Sequence, residues 1–119
     1  MKTLSEIQNR VKQLFETENF IHEPKELYEP VEYALSQGGK RLRPSLMLAA
    51  CDMFGGNVAD AERAAIGIEV FHNFTLLHDD LMDKSPLRRG RETVYRHWNE
   101  NTAILSGDTM FAMAYRYFL

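Results

Sequence analysis

The amino-acid sequence predicts an all-α fold, a helical bundle, and three observations carry that expectation. Apolar residues recur at three- and four-residue steps in successive segments. No stretch shows the two-residue alternation of a half-buried strand. Residues 61–82 form one long segment that is apolar on nearly every side, which places it in the middle of a bundle rather than on its surface.

Composition narrows the class further. A chain of 119 residues supports one modest domain, and 45% hydrophobic residues is ordinary for a globular protein. A net charge of −3, with no long basic run, argues against nucleic acid as a partner. A single cysteine, Cys51, rules out an intrachain disulfide, and its apolar setting reads as core. The first residues lead directly into a charged amphipathic segment with no signal-peptide pattern, and no apolar run reaches the length of a membrane span. The expected location is the cytoplasm. There are no repeats and no low-complexity tract.

The elements follow in order. Leu4, Ile7, Val11, Leu14 and Phe15 share one face of a first helix. Its opposite face mixes Lys2, Glu6, Arg10, Lys12 and Glu16, which favours packing on the bundle over lying on a membrane. Residues 17–24 are a connector. A second helix over 25–36 turns Leu27, Val31, Ala34 and Leu35 inward, with a break or late start expected at Pro30. The loop Gly38-Gly39-Lys40-Arg41-Leu42-Arg43 leads into a third helix over 44–54, which stops at Gly55-Gly56. Asn57 or Asp60 caps the central helix. Ser85-Pro86 ends it, Gly90 turns the chain, and residues 93–98 form a short helix. Asn101 or Thr102 caps a last helix from Ala103 onward, whose apolar face Asp108 interrupts. That helix still reads as helix at Leu119, and five other elements cover the central one, so the chain is expected to be a piece of a larger bundle.

The central helix ends in His78-Asp79-Asp80-Leu81-Met82-Asp83. At about 100° per residue Asp79 and Asp83 lie roughly 40° apart, whereas Asp80 is turned about 100° away from Asp79. His72, seven residues before Asp79, sits on nearly the same stripe roughly 10 Å deeper. Alone, these acids fit either a metal site or a solvated helix end. The loop over 38–44 fits either an anion site at a helix N-terminus or a glycine stop with solvated cations. Together with Arg88-Arg89-Gly90-Arg91 they are more specific. Carboxylates repel phosphate directly but hold Mg²⁺, which bridges to phosphate oxygens, and arginines supply bidentate contacts to the oxygens that remain. Two cationic groups imply one large anion or two separate ones.

The runs Gly38-Gly39-Lys40-Arg41-Leu42-Arg43-Pro44, Glu69-Val70-Phe71-His72-Asn73-Phe74-Thr75-Leu76-Leu77-His78-Asp79-Asp80-Leu81-Met82-Asp83 and Arg88-Arg89-Gly90, with Gly107-Asp108, closely resemble the trans-isoprenyl diphosphate synthase (polyprenyl synthetase) family. The resemblance extends from about Gly38 to the end of the chain. It implies a helical bundle of the isoprenoid synthase type and a homodimer. The implied activity is that of a prenyltransferase condensing isopentenyl diphosphate with an allylic diphosphate. Asp79 and Asp83 match the first aspartate-rich motif and would hold Mg²⁺ against the allylic diphosphate, with Asp80 in support and Arg88 on that same diphosphate. Lys40, Arg43, His72 and Arg89 would bind the diphosphate of isopentenyl diphosphate. Phe74 and Thr75 match the positions that set product length, and one aromatic there implies a short to medium product of about fifteen to twenty carbons. By helical angle Thr75 faces the Asp79 side and Phe74 points about 140° away from it.

The family also needs a second aspartate-rich motif on a later helix, which this sequence does not supply, and its chains are more than twice as long. The chain is therefore expected to be the N-terminal part of such a synthase and catalytically incomplete alone. A class I terpene cyclase shares the aspartate motif but has no use for a second anion site at Lys40, Arg43, Arg88 and Arg89. A non-catalytic helical partner subunit would be expected to lose the aspartates. A plain interaction module would tolerate charge reversal at Asp79 and Asp83.

Overall fold

A computed structural model describes residues 2–119, and among them the fold is six α-helices and one short hairpin. Helix α1 (Leu4–Thr17) starts where the Thr3 hydroxyl accepts from the Glu6 amide at 3.2 Å, satisfying one of the unpaired first-turn donors. Helix α2 (Lys25–Ser36) runs through Pro30 without the expected break. Proline in the sixth position forfeits one main-chain bond, and its ring is fully buried in the core, so packing offsets the loss.

Helix α3 (Leu42–Met53) begins two residues before Pro44, which takes a first-turn position where no amide proton is needed. Its end is a Schellman motif. Gly55, at φ 81°, donates to the Asp52 carbonyl at 3.0 Å, and Gly56 donates to Cys51 at 2.9 Å.

Helix α4 (Val58–Met82) starts three residues earlier than the periodicity predicted, because Asn57 is the cap: its side chain accepts from the Ala59 amide at 3.2 Å. The sequence showed no strand, yet β1 (Leu87–Arg88) pairs antiparallel with β2 (Arg91–Glu92). Four strand residues are too few to display alternation. The pairing is set instead by Arg89 and Gly90, both at positive φ as a two-residue primed turn requires. Helix α5 (Val94–His97) is a single turn, and α6 (Glu100–Phe118) is capped by Asn99 rather than Asn101 or Thr102, with the Asn99 side chain accepting from the Thr102 amide at 2.8 Å.

α4 is the axis and touches every other helix. One core cluster joins Val31, Leu35, Ile66, Val70, Met110 and Ala114 across α2, α4 and α6. A second joins Ile7, Val11, Leu48, Val58 and Ala65 across α1, α3 and α4. The α4–α6 contact is unusually close at two glycines. A Cβ on Gly67 would lie 2.9 Å from the Tyr117 Cβ, and one on Gly107 would overlap the His78 imidazole. Among the described residues no helix is long and apolar enough to cross a membrane.

The Gly67 contact yields a test. Alanine is the better helix former by about 1 kcal/mol, but its Cβ would press on an atom fixed to the α6 backbone. Gly67→Ala is therefore expected to destabilise the chain, by about 1–3 kcal/mol for an overpacked site, in urea denaturation. A more stable variant would contradict the close approach.

Candidate active site

The glycine loop is built from left-handed backbone. Gly38 (φ 77°), Gly39 (φ 116°) and Arg41 (φ 50°) place three positive φ values in four residues. The two glycines adopt this freely, whereas Arg41 does so at a cost of about 1–2 kcal/mol. Strained non-glycine residues concentrate at sites where the surrounding structure over-determines them. The others among the described residues are Lys84 and Arg89, and both flank the same end of the molecule.

The hairpin folds onto this loop. The Arg89 guanidinium donates to the Gly38 carbonyl at 2.9 Å, and a Cβ on Gly39 would lie 3.0 Å from the Arg89 Cζ. Gly39 is thus needed for close approach as well as for φ. Lys40, Arg43 and Arg89 are exposed, whereas Arg41 turns inward onto Glu69.

At the C-terminus of α4 the three acids divide by direction. Asp79 and Asp83 are exposed, one helical turn apart, and make no ion pair among the described residues. Asp80 is buried and accepts from Arg88 Nε and Nη2, both at 2.8 Å, in a bidentate pair. That hydrogen bond raises the Arg88 pKa; burial opposes it, and the Asp80 and Asp79 charges add to it. α4 ends in a second Schellman motif, with Lys84 in the left-handed position: Ser85 donates to the Asp80 carbonyl at 2.9 Å and Lys84 to Leu81 at 3.2 Å. The stop is Lys84, one residue before Ser85-Pro86.

The reversed chain is held by buried Thr93, whose hydroxyl donates to the Ser85 carbonyl at 2.7 Å. Tyr33 of α2 fixes the far side of the hairpin. Its hydroxyl donates to the Glu92 carbonyl at 2.8 Å, and the Arg91 guanidinium stacks 4.2 Å over its ring.

His72 is half-buried on α4, seven residues before Asp79. Its pKa is lowered first by burial and then by Arg43, with smaller contributions from Arg89 and Arg88; Glu69 alone opposes them. Four of the residues singled out in the sequence, His72, Arg43, Arg88 and Arg89, therefore share one electrostatic field.

Phe74 packs edge-on against Phe111 at 5.3 Å and His78 at 4.9 Å, so it sits at the α4–α6 seam. Thr75 donates to the His72 carbonyl at 2.6 Å. Exposed Asp108 approaches His78 only to 3.9 Å, while His78 Nε2 donates to the Ile104 carbonyl at 3.1 Å.

Sequence reasoning missed Tyr33, His78, Glu69 and the inward role of Arg41. Glu69 alone left a signal, as an acid in the middle of an otherwise apolar helix. A cavity of about 650 Å³ lies between α1, α2 and the glycine loop and touches this cluster only at the loop. Its lining mixes the acids Glu16, Glu18 and Glu32 with the cations Lys12, Lys40 and Arg41.

Comparison with known proteins gives one answer. Residues 24–119 match the family model described as polyprenyl synthetase. The chain is 43% identical over 95 residues to the geranylgeranyl diphosphate synthase of Methanosarcina mazei, covering 80% of this chain and 29% of that protein. It is 44% identical over 112 residues to the geranylgeranyl diphosphate synthase of Saccharolobus solfataricus, covering 93% and 33%. A crystal structure of geranylgeranyl pyrophosphate synthase superposes with a TM-score of 0.93 at 52% identity, covering 99% of this chain and 36% of that one. The geranylgeranyl pyrophosphate synthetase of Pyrococcus horikoshii gives 0.84 at 36% identity, covering 96% and 36%. The chain thus spans about a third of the length of the relatives it matches. Its helices reproduce that part of the isoprenoid synthase fold, and the chain belongs to the polyprenyl synthetase family.

Proposed function

We propose that this chain carries a diphosphate-binding part of a trans-prenyltransferase, which joins isopentenyl diphosphate to an allylic diphosphate to give a short to medium prenyl diphosphate. The observation that carries the reading is the seating of Arg89 on the Gly38-Gly39 loop that leads into Lys40 and Arg43, with Arg88 paired to Asp80 and two unpaired carboxylates at the neighbouring helix end. Cations gathered in this way repel one another unless an anion neutralises them.

The donor set suits Mg²⁺. Asp79 and Asp83 offer hard oxygen ligands, and Mg²⁺ is typically held by one or two carboxylates, with substrate phosphates and water completing the shell. Within this chain Asp79 and Asp83 are the proposed protein ligands of such a site. Bound there, the ion would neutralise charge on the allylic diphosphate as it leaves.

The chain's own residues do the rest. Two Arg88 donors are committed to Asp80, which fixes the guanidinium plane and leaves its other N–H groups for the allylic diphosphate. Lys40, Arg43, Arg89 and His72 hold the second diphosphate. Each substrate then has its own anchor, and the two organic tails are brought together without a free encounter. The carbon–oxygen bond of the allylic substrate breaks with its electron pair going to the departing diphosphate, the double bond of isopentenyl diphosphate attacks the resulting cation, and the released diphosphate takes the proton that the product cation loses. Phe74, at the seam with Phe111, and Thr75 are the proposed limits on tail length. Association of two copies and a cytoplasmic location are part of the same proposal. The first draws on the exposed apolar α6 residues Leu105, Tyr115 and Phe118. Because the chain spans about a third of its relatives, a partner segment supplies the rest of the site in this reading, and product formation by the 119 residues alone is expected to be absent.

Three outcomes test it. Calorimetric titration with isopentenyl diphosphate is expected to show binding that weakens tenfold or more in Arg43→Ala and in Arg89→Ala, since a hydrogen bond to a charged group contributes about 1.5–3 kcal/mol; unchanged affinity in both would refute the assignment. In the same instrument, Asp79→Asn with Asp83→Asn should abolish the Mg²⁺-dependent part of geranyl diphosphate binding and leave isopentenyl diphosphate binding intact. Equal losses for both ligands would contradict the division of the site.

The third outcome concerns pH. His72 titrates below its ordinary 6.5, chiefly through burial and Arg43. The unfolded chain therefore binds the proton more tightly, and the His72 contribution to stability is present above about pH 6.5 and lost as pH falls through the window below it. A bound diphosphate offsets the arginines, so the His72 midpoint followed by NMR should rise when isopentenyl diphosphate is added. A midpoint that stays put would place the anion elsewhere.

A further inference from the structure

Of the three cations in the run over residues 40–43, the one that reaches no solvent-facing site is the one most heavily tied. The Arg41 side chain is 14% exposed and its partner Glu69 6%. Nη1 donates to Glu69 Oε2 at 3.1 Å, across to the middle of α4. Nη2 donates to the Leu35 carbonyl at 2.5 Å, one of the unpaired carbonyls in the last turn of α2. The guanidinium lies 4.3 Å over the Phe15 ring of α1. Arg41 is also the residue that precedes α3, at φ 50°. One side chain thus ties the entry of α3 to α1, α2 and α4.

The consequence falls on its neighbours. Lys40 and Arg43 flank Arg41, and their directions follow from the backbone that Arg41 holds in a left-handed conformation. Glu69 lies three residues before His72 on the same helix, so the Arg41–Glu69 bridge sets the position of the loop cations relative to His72. A planar fork makes two fixed bonds at once, which a lysine ammonium does not reproduce.

We propose that Arg41 is a positioning residue for anion binding, holding the glycine loop in its diphosphate-receiving form through Glu69 and Leu35 without touching the ligand. This rests on the diphosphate-site reading above. Simple electrostatics and positioning make opposite forecasts for one variant. Glu69 is a negative charge near the anion site, so its removal tightens anion binding if charge alone matters. If Glu69 acts by holding Arg41, its removal weakens binding.

The experiment is calorimetric titration of the 119-residue chain with inorganic pyrophosphate for wild type, Glu69→Gln and Arg41→Lys, with melting followed by circular dichroism on the same samples. Glu69→Gln keeps the side-chain shape and removes the charge, and Arg41→Lys keeps the charge and removes the fork. The expected result is wild-type binding that weakens about tenfold in each variant at a temperature where both remain folded. Affinity equal to or tighter than wild type in folded Glu69→Gln would overturn the positioning role and leave the diphosphate site standing. A lowered melting temperature with unchanged affinity would also overturn it, since that is a purely structural contribution. If wild type itself does not bind pyrophosphate, the diphosphate site fails and the Arg41 role fails with it.

Discussion

The bidentate pair between Asp80 and Arg88 is the contact on which the arrangement of this site depends. A carboxylate at the buried side of an apolar helix is costly without a partner. The chain meets that demand by reversing within a few residues of Asp83 and returning an arginine to it. The reversal fixes the hairpin, and the hairpin sets Arg89 on the glycine loop. One buried acid therefore organises the two exposed ones beside it. Asp79 and Asp83 stay exposed and without an ion pair, while Arg88 is held by Asp80 and Lys84 by Glu100.

A second constraint works at the other end of the loop. Arg41 stands to Glu69 as Arg88 stands to Asp80: an arginine from a connecting segment joined to an acid of α4. α4 is otherwise an apolar axis, and its two buried acids, Glu69 and Asp80, are the points at which both cationic segments are attached. The site is in this sense a property of one helix. The loop and the hairpin have little regular structure of their own and take their positions from it.

Much of this was legible in the sequence. Helices announce themselves by the spacing of Ile7 and Val11 or of Val31, Ala34 and Leu35, and the functional motifs are dense in charge and glycine. The helical wheel also separated Asp80 from Asp79 and Asp83. What escaped notice was set by partners distant in the chain. Pro30 stays inside α2 because its ring is buried by tertiary packing, which local propensity does not contain. The cap of α6 is Asn99 because the chain leaves α5 extended there, whereas Asn101 and Thr102 are equally good cap residues on paper. The hairpin turns on an arginine at positive φ, where asparagine or aspartate is the usual sign. The sequence assigns Arg41 no role of its own, because its partners lie 6 and 28 residues away.

The central claim is that one anion site is assembled by the glycine loop, His72 and the hairpin on the surface of α4. Amide chemical-shift mapping by NMR during addition of inorganic pyrophosphate tests it most directly. The account predicts localised shifts over residues 38–43, around His72 and over residues 88–90. Shifts confined to the cavity between α1 and α2, at Gln8, Lys12 and Glu32, or no localised shifts in a folded chain, would contradict it.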